Sequence, residues 1–164
     1  MPRPVTPLLT VDIVIALTDR PGRPVVLIER RNPPPGWALP GGFVDVGEPL
    51  EVAAVREAKE ETSLDVTLRC LLGCYSDPSR DPRGHTVSAV YIAEATGDPV
   101  AADDARTIAL VDPRAIDRPL AFDHELILAD YRHWLDTGEP APLRHIRGGW
   151  NEHGGHGDTE STEE

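Results

Sequence analysis

The chain has 164 residues, 16 Lys+Arg against 28 Asp+Glu, a formal net charge of −12 and 40% hydrophobic residues. That is the composition of one soluble globular domain, and the acidity excludes a duplex-DNA reader, which needs a basic face for phosphate. The same charge stands as an obstacle to any anionic substrate, although 15 of the 16 basic residues are arginine, the better fork for phosphate.

In chain order, Val11–Leu17 reads as a strand and Asp19–Gly22 as a turn. Pro24–Arg30 reads as the returning strand of a hairpin. Pro33, Pro34 and Pro35 stiffen the loop that follows. From Trp37 to Gly47 a short strand, a glycine turn and another short strand lead to a helix from Leu50 to Thr62, with Pro49 at its start. Leu64–Tyr75 holds one or two strands, Ser76–Gly84 is a polar loop, and His85–Ala95 and Thr107–Val111 are further strands. A second helix runs from Asp123 to about Leu135, with Ile127, Tyr131 and Trp134 on one face. Strands interleaved with two helices predict an α/β sandwich on a mixed sheet. Residues 1–147 form the expected domain, and 148–164, acidic and almost without apolar side chains, a disordered tail. His153 and His156 in that tail are metal ligands or, on the simpler view, solvated imidazoles. Cys70 and Cys74 are too few and too close for a disulfide framework. No signal peptide or membrane-length apolar run is expected, which points to the cytoplasm and to no membrane partner.

Glu57, Glu60 and Glu61 stand at i, i+3 and i+4, on one helix face, where three carboxylates repel one another. An acidic face can be simple solvated surface. It becomes favourable when a hard cation such as Mg²⁺ sits among oxygen ligands, to which the backbone carbonyl of Gly42 can be added. Arg56 is expected to point away from that metal face, pairing with Glu48 and with Glu60 at i+4.

Gly42, Glu48, Arg56, Glu57, Glu60 and Glu61 at these spacings, preceded by Leu39-Pro40-Gly41, resemble the Nudix box. Ser63 stands where the box has glycine and Ala58 where a larger aliphatic is common. Ser63 is expected to end the helix differently without moving the glutamates. The resemblance implies the Nudix α/β/α fold and a Mg²⁺-dependent hydrolase (Mn²⁺ as the other candidate) acting on a nucleoside diphosphate linked to another group. It implies Gly42, Glu57, Glu60 and Glu61 as metal ligands, and Arg56 and Glu48 as an orienting pair. The base comes from Glu60 or Glu61, then Asp103 or Asp104. A homodimer is expected on the resemblance alone.

Ser76-Asp77-Pro78-Ser79-Arg80-Asp81-Pro82-Arg83-Gly84-His85-Thr86 resembles a stretch of the ADP-ribose pyrophosphatases within that family, and the loop to Asp104 adds to it. Arg80, Arg83, His85 and Asp104 are therefore expected at the substrate, although Asp81–Arg83 contacts within a turn are an equal reading. Arg30 and Arg31 are candidates for the diphosphate. Trp37 is expected to pack rather than stack on a base. The implied reaction is ADP-ribose to AMP and ribose 5-phosphate. The alternatives are another nucleotide (a triphosphate, an 8-oxo nucleotide or NADH) or a ligand-sensing domain without catalysis. The intact glutamates, and the 29 residues after the second helix, too few for a winged helix, favour the enzyme.

Overall fold

The computed structural model describes residues 4–102 and 105–144. Seven strands form one mixed sheet: β1 (Leu8–Leu17), β2 (Val25–Arg30), β3 (Trp37–Ala38), β4 (Gly41–Phe43), β5 (Thr67–Tyr75), β6 (Thr86–Ala95) and β7 (Ala105–Val111). Helix α1 (Leu50–Thr62) lies between β4 and β5, and α2 (His124–Thr137) follows β7. The main path through the sheet is β3-β2-β1-β6-β5, with β4 paired to β1 and β7 to β2.

β1 is central. It runs parallel to β6 over ten pairs, from Leu8 with Thr86 to Leu17 with Ala95. Its other edge is divided: Thr10–Asp12 pairs with Phe43–Gly41, and Ala16 pairs with Val25. A strand buried on both faces reads as a continuous apolar run rather than an alternation, as Val11–Leu17 does apart from Asp12. Val11, Ile13, Ile15 and Leu17 face α1, whose Ala53, Ala54 and Ala58 let the helix approach closely. Val14 faces the other way, with Leu27, Leu72 and Ile92, against Ile127, Leu128 and Tyr131 of α2. Ala58 is fully buried in this contact, so its small size suits close packing. The period of two puts Asp12 on the α2 face, beside the first residue of that helix.

Several boundaries differ from the sequence reading. β1 begins three residues earlier, and Leu64–Tyr75 forms a single strand from Thr67, with irregular register between Leu68 and Cys70 and between Leu71 and Gly73. The expectation that α1 ends differently from a glycine-capped helix is overturned. Ser63 takes the left-handed conformation itself (φ 61°), its N–H donating to Lys59 O. It therefore accepts a cost of about 1–2 kcal/mol that glycine avoids. Trp37 packs on the α2-side core, as expected, with Arg118 lying 4.5 Å over its ring. Cys70 and Cys74 are free thiols. Among the described residues no helix is long and apolar enough to cross a membrane. Asp103, Asp104, His153 and His156 lie outside the described residues.

Candidate active site

A cleft of about 350 Å³ opens where β1 and β2 part, bounded by Thr10, Asp12, Gly41, Gly42, Glu57 and Glu61 on one side. Arg30, Arg31, Arg83, Phe122 and His124 also face it.

Arg56 organises the α1 carboxylates. Its Nε and Nη2 donate to the two oxygens of Glu48 at 2.8 and 2.9 Å, a bidentate pair. Nη2 also donates to Phe43 O (3.1 Å), and Nη1 donates to Glu57 Oε1 (2.8 Å) and Glu60 Oε2 (3.1 Å). Arg56 thus does not point away from the acidic face. It bonds three of the four glutamates and so offsets their repulsion, while Arg30 acts on Glu61 at longer range. Glu48 in turn accepts Asp45 N–H, and the Arg56 bonds hold its carboxyl below the ordinary range.

Glu61 is the buried member, 9% exposed, and its Oε2 accepts the N–H of Gly41 at 2.9 Å. Burial, reinforced by Glu57 and Asp12, pushes its carboxyl up to about 8 against that hydrogen bond. Burial also raises Glu57, with Arg56 opposing. Both glycines are required by space. A Cβ on Gly42 meets Glu57 Oε1 at 2.4 Å, and one on Gly41 meets Val11 O at 2.2 Å. The three helix carboxylates share a face as expected, but they do not close around one centre. Among the described residues no three His, Cys, Asp or Glu side chains form a ready metal cage. Glu60 is drawn out to Arg56 and stays about half exposed, while Glu61 is held by Gly41. The donor set still suits a divalent cation: Glu57 and Glu61 are hard oxygen ligands whose raised proton affinities mark them as short of positive charge.

The loop arginines divide. Arg80 reaches the cleft but is committed to the protein: Asp123 accepts from its Nη2 and Nε at 2.8 and 3.0 Å, Thr86 from Nη1 at 3.0 Å, and Asp12 from Nη2 at 3.4 Å. Its guanidinium, expected at the substrate, is thus held by protein partners at the edge of the cleft. Asp123, at the N-cap of α2, makes no capping bond because its carboxylate serves Arg80. Arg83 faces the cleft. Asp81 holds it at 2.8 and 3.0 Å, the contact of the turn reading, while it lines the cleft. Arg83 lies over Phe43 and Phe122, and Arg30 lies over the same Phe122 ring at 4.7 Å. Burial and the neighbouring Arg83 depress the Arg30 guanidinium. His85 bonds Ser76 O and stands away from the cleft.

The family model of the NUDIX domain matches residues 8–135. The chain belongs to the Nudix family. It is 45% identical over 131 residues to an ADP-ribose pyrophosphatase of Methanocaldococcus jannaschii, covering 78% of this chain and 75% of that protein. Its fold is similar to the NUDIX domain of Shewanella oneidensis NrtR complexed with ADP ribose. That match has TM-score 0.69 and 29% identity, over 80% of this chain and 90% of that one. It is also similar to a bifunctional NMN adenylyltransferase/ADP ribose pyrophosphatase of Francisella tularensis complexed with AMP and a Mn ion. Here the TM-score is 0.66 and the identity 28%, over 80% of this chain and 42% of that one.

Asp12, Phe43, Phe122 and His124 are among the residues of this Nudix cleft that escaped the sequence reading. Asp12 did carry a signal, as the one charge in an apolar strand. Phe122 carried none, since its left-handed backbone (φ 56°) is visible only in the fold.

Proposed function

We propose that this Nudix hydrolase cleaves ADP-ribose, with water, to AMP and ribose 5-phosphate. The observation that carries the reading is the polarity of one cleft. Glu57 and Glu61 of α1 line the same cleft as Arg30, Arg31 and Arg83. The 45% identity to an ADP-ribose pyrophosphatase supports the substrate.

Nudix hydrolases use divalent metals. Here Glu57 and Glu61, with Glu60 and the Gly42 carbonyl, would hold Mg²⁺, which offsets the charge of the diphosphate and acidifies a water. Arg30 and Arg83 are like charges held close over one aromatic ring, an arrangement that an anion between them relieves. Phosphate oxygens supply that anion. Arg56 keeps Glu57 and Glu48 in register, so its part is orientation. Gly41 N–H fixes Oε2 of Glu61, leaving Oε1 to take the proton of the attacking water. As that O–P bond forms, the bridging P–O bond of the diphosphate breaks and its electrons leave on the departing phosphate.

A panel of ADP-ribose, NADH, an 8-oxo nucleotide and nucleoside triphosphates, with Mg²⁺ and with Mn²⁺, tests the proposal. AMP released from ADP-ribose well above every other turnover is the expected result. Preference for a triphosphate overturns the substrate, and binding of ADP-ribose without turnover of any nucleotide favours a sensor.

A further inference from the structure

His124 is buried to 1% exposure at the start of α2, on the side of the cleft opposite α1. Its Nδ1 accepts the buried N–H of Leu39 at 2.9 Å. An acceptor nitrogen carries no hydrogen, so the ring proton sits on Nε2. Nε2 has no hydrogen-bond partner, but it faces Asp12 Oδ1 at 3.4 Å. Asp12 is itself fixed from the other side by Ser88 Oγ–H and by Arg80, which is locked to Asp123 next to His124.

Leu39 begins the tetrapeptide that ends at Gly42. The segment has four other anchors: Pro40 O accepts Ile13 N–H at 2.8 Å, Gly41 N–H goes to Glu61, and Gly41 and Gly42 pair with Asp12 and Val11 in the sheet. His124 supplies the anchor on the far side of Pro40. Without it, a buried backbone N–H has no partner, a cost that the segment avoids by shifting.

We propose that His124 is a positioning residue for the reaction. By accepting Leu39 N–H, in the tautomer that Asp12 selects, it sets the place of Gly41 and Gly42 against Glu61 and Glu57. Only the kinetic arm of the test rests on the hydrolase reading above.

The direct test is the scalar coupling across Leu39 N–H···Nδ1 of His124 in isotope-labelled protein, which needs no turnover. Coupling together with an Nε2–H tautomer is expected, and a protonated Nδ1 overturns the proposal. The kinetic test compares His124→Leu with His124→Asn, whose amide oxygen can stand where Nδ1 does. His124→Leu is expected to lower kcat about tenfold, the equivalent of about 1.4 kcal/mol, with KM for ADP-ribose changed less than about twofold. Mn²⁺ affinity, measured by calorimetry without substrate, weakens alongside. His124→Asn is expected to recover most of kcat and of the Mn²⁺ affinity. A folded His124→Leu protein with full kcat and Mn²⁺ affinity overturns the proposal, as does an Asn variant as impaired as the Leu variant. Should the Leu variant not fold, His124→Gln, which reaches toward Asp12 but leaves the Nδ1 place empty, takes its part. Absence of ADP-ribose turnover in the unmodified protein refutes the substrate while leaving the coupling and Mn²⁺ results to decide on His124.

Discussion

Replacing Glu61 by Gln separates the function of this side chain from its effect on the fold. Gln keeps an oxygen to accept Gly41 N–H and removes only the charge. In the metal-free protein the carboxyl stands at about 8 instead of 4.5. The folded state therefore binds more protons than the unfolded one between these values, and stability falls as pH rises through that window. Linkage puts the resulting destabilisation at about 3 kcal/mol at pH ~7 and under about 1 kcal/mol at pH ~5. Glu61→Gln should relieve it, which for a domain of this size raises Tm by roughly 6–12 °C at pH ~7. Thermal melts of both proteins in chelator, at pH ~5 and pH ~8, measure the gap. Turnover with Mg²⁺ should fall by at least about 100-fold, since the proposed proton acceptor is lost. Equal Tm values at pH ~8, a gap that does not narrow toward pH ~5, or full turnover in the variant would refute the reasoning.

Gly42→Ala places a methyl 2.4 Å from Glu57 Oε1. Turnover should drop by about tenfold or more while secondary structure by circular dichroism is retained. Arg83→Ala should raise KM for ADP-ribose more than for a triphosphate; an equal rise for both removes the specificity argument. Ser63→Gly relieves the left-handed strain at the end of α1 and should raise stability in urea melts by about 1 kcal/mol with kcat unchanged.

The helix glutamates were legible because a fixed spacing on one helix is local geometry, and the sheet and both helices followed from apolar patterning. The partners of each charge were not. Arg80 and Arg83 sit three residues apart in similar sequence, yet one is buried against Asp123 and the other faces the cleft. That difference depends on where α2 begins, which local pattern does not encode. Asp12 and His124 are 112 positions apart in the chain and meet only because β1 presents its even residues to α2. The left-handed Ser63 shows the opposite case. The backbone path at the helix end is imposed by its surroundings and persists even where the residue type opposes it.

The two-signed cleft lies within a protein of net charge −12, and this bears on how substrate arrives. Beyond roughly 10 Å the opposite charges of the cleft largely cancel, and what survives screening is the overall negative field, which an approaching dianion meets. Capture then depends on the last few ångströms, where Arg30, Arg31 and Arg83 act, rather than on long-range guidance. Moderate salt shields that repulsion, so the association rate of an anionic nucleotide should hold steady or rise with ionic strength, opposite to an enzyme that steers its substrate with a basic surface.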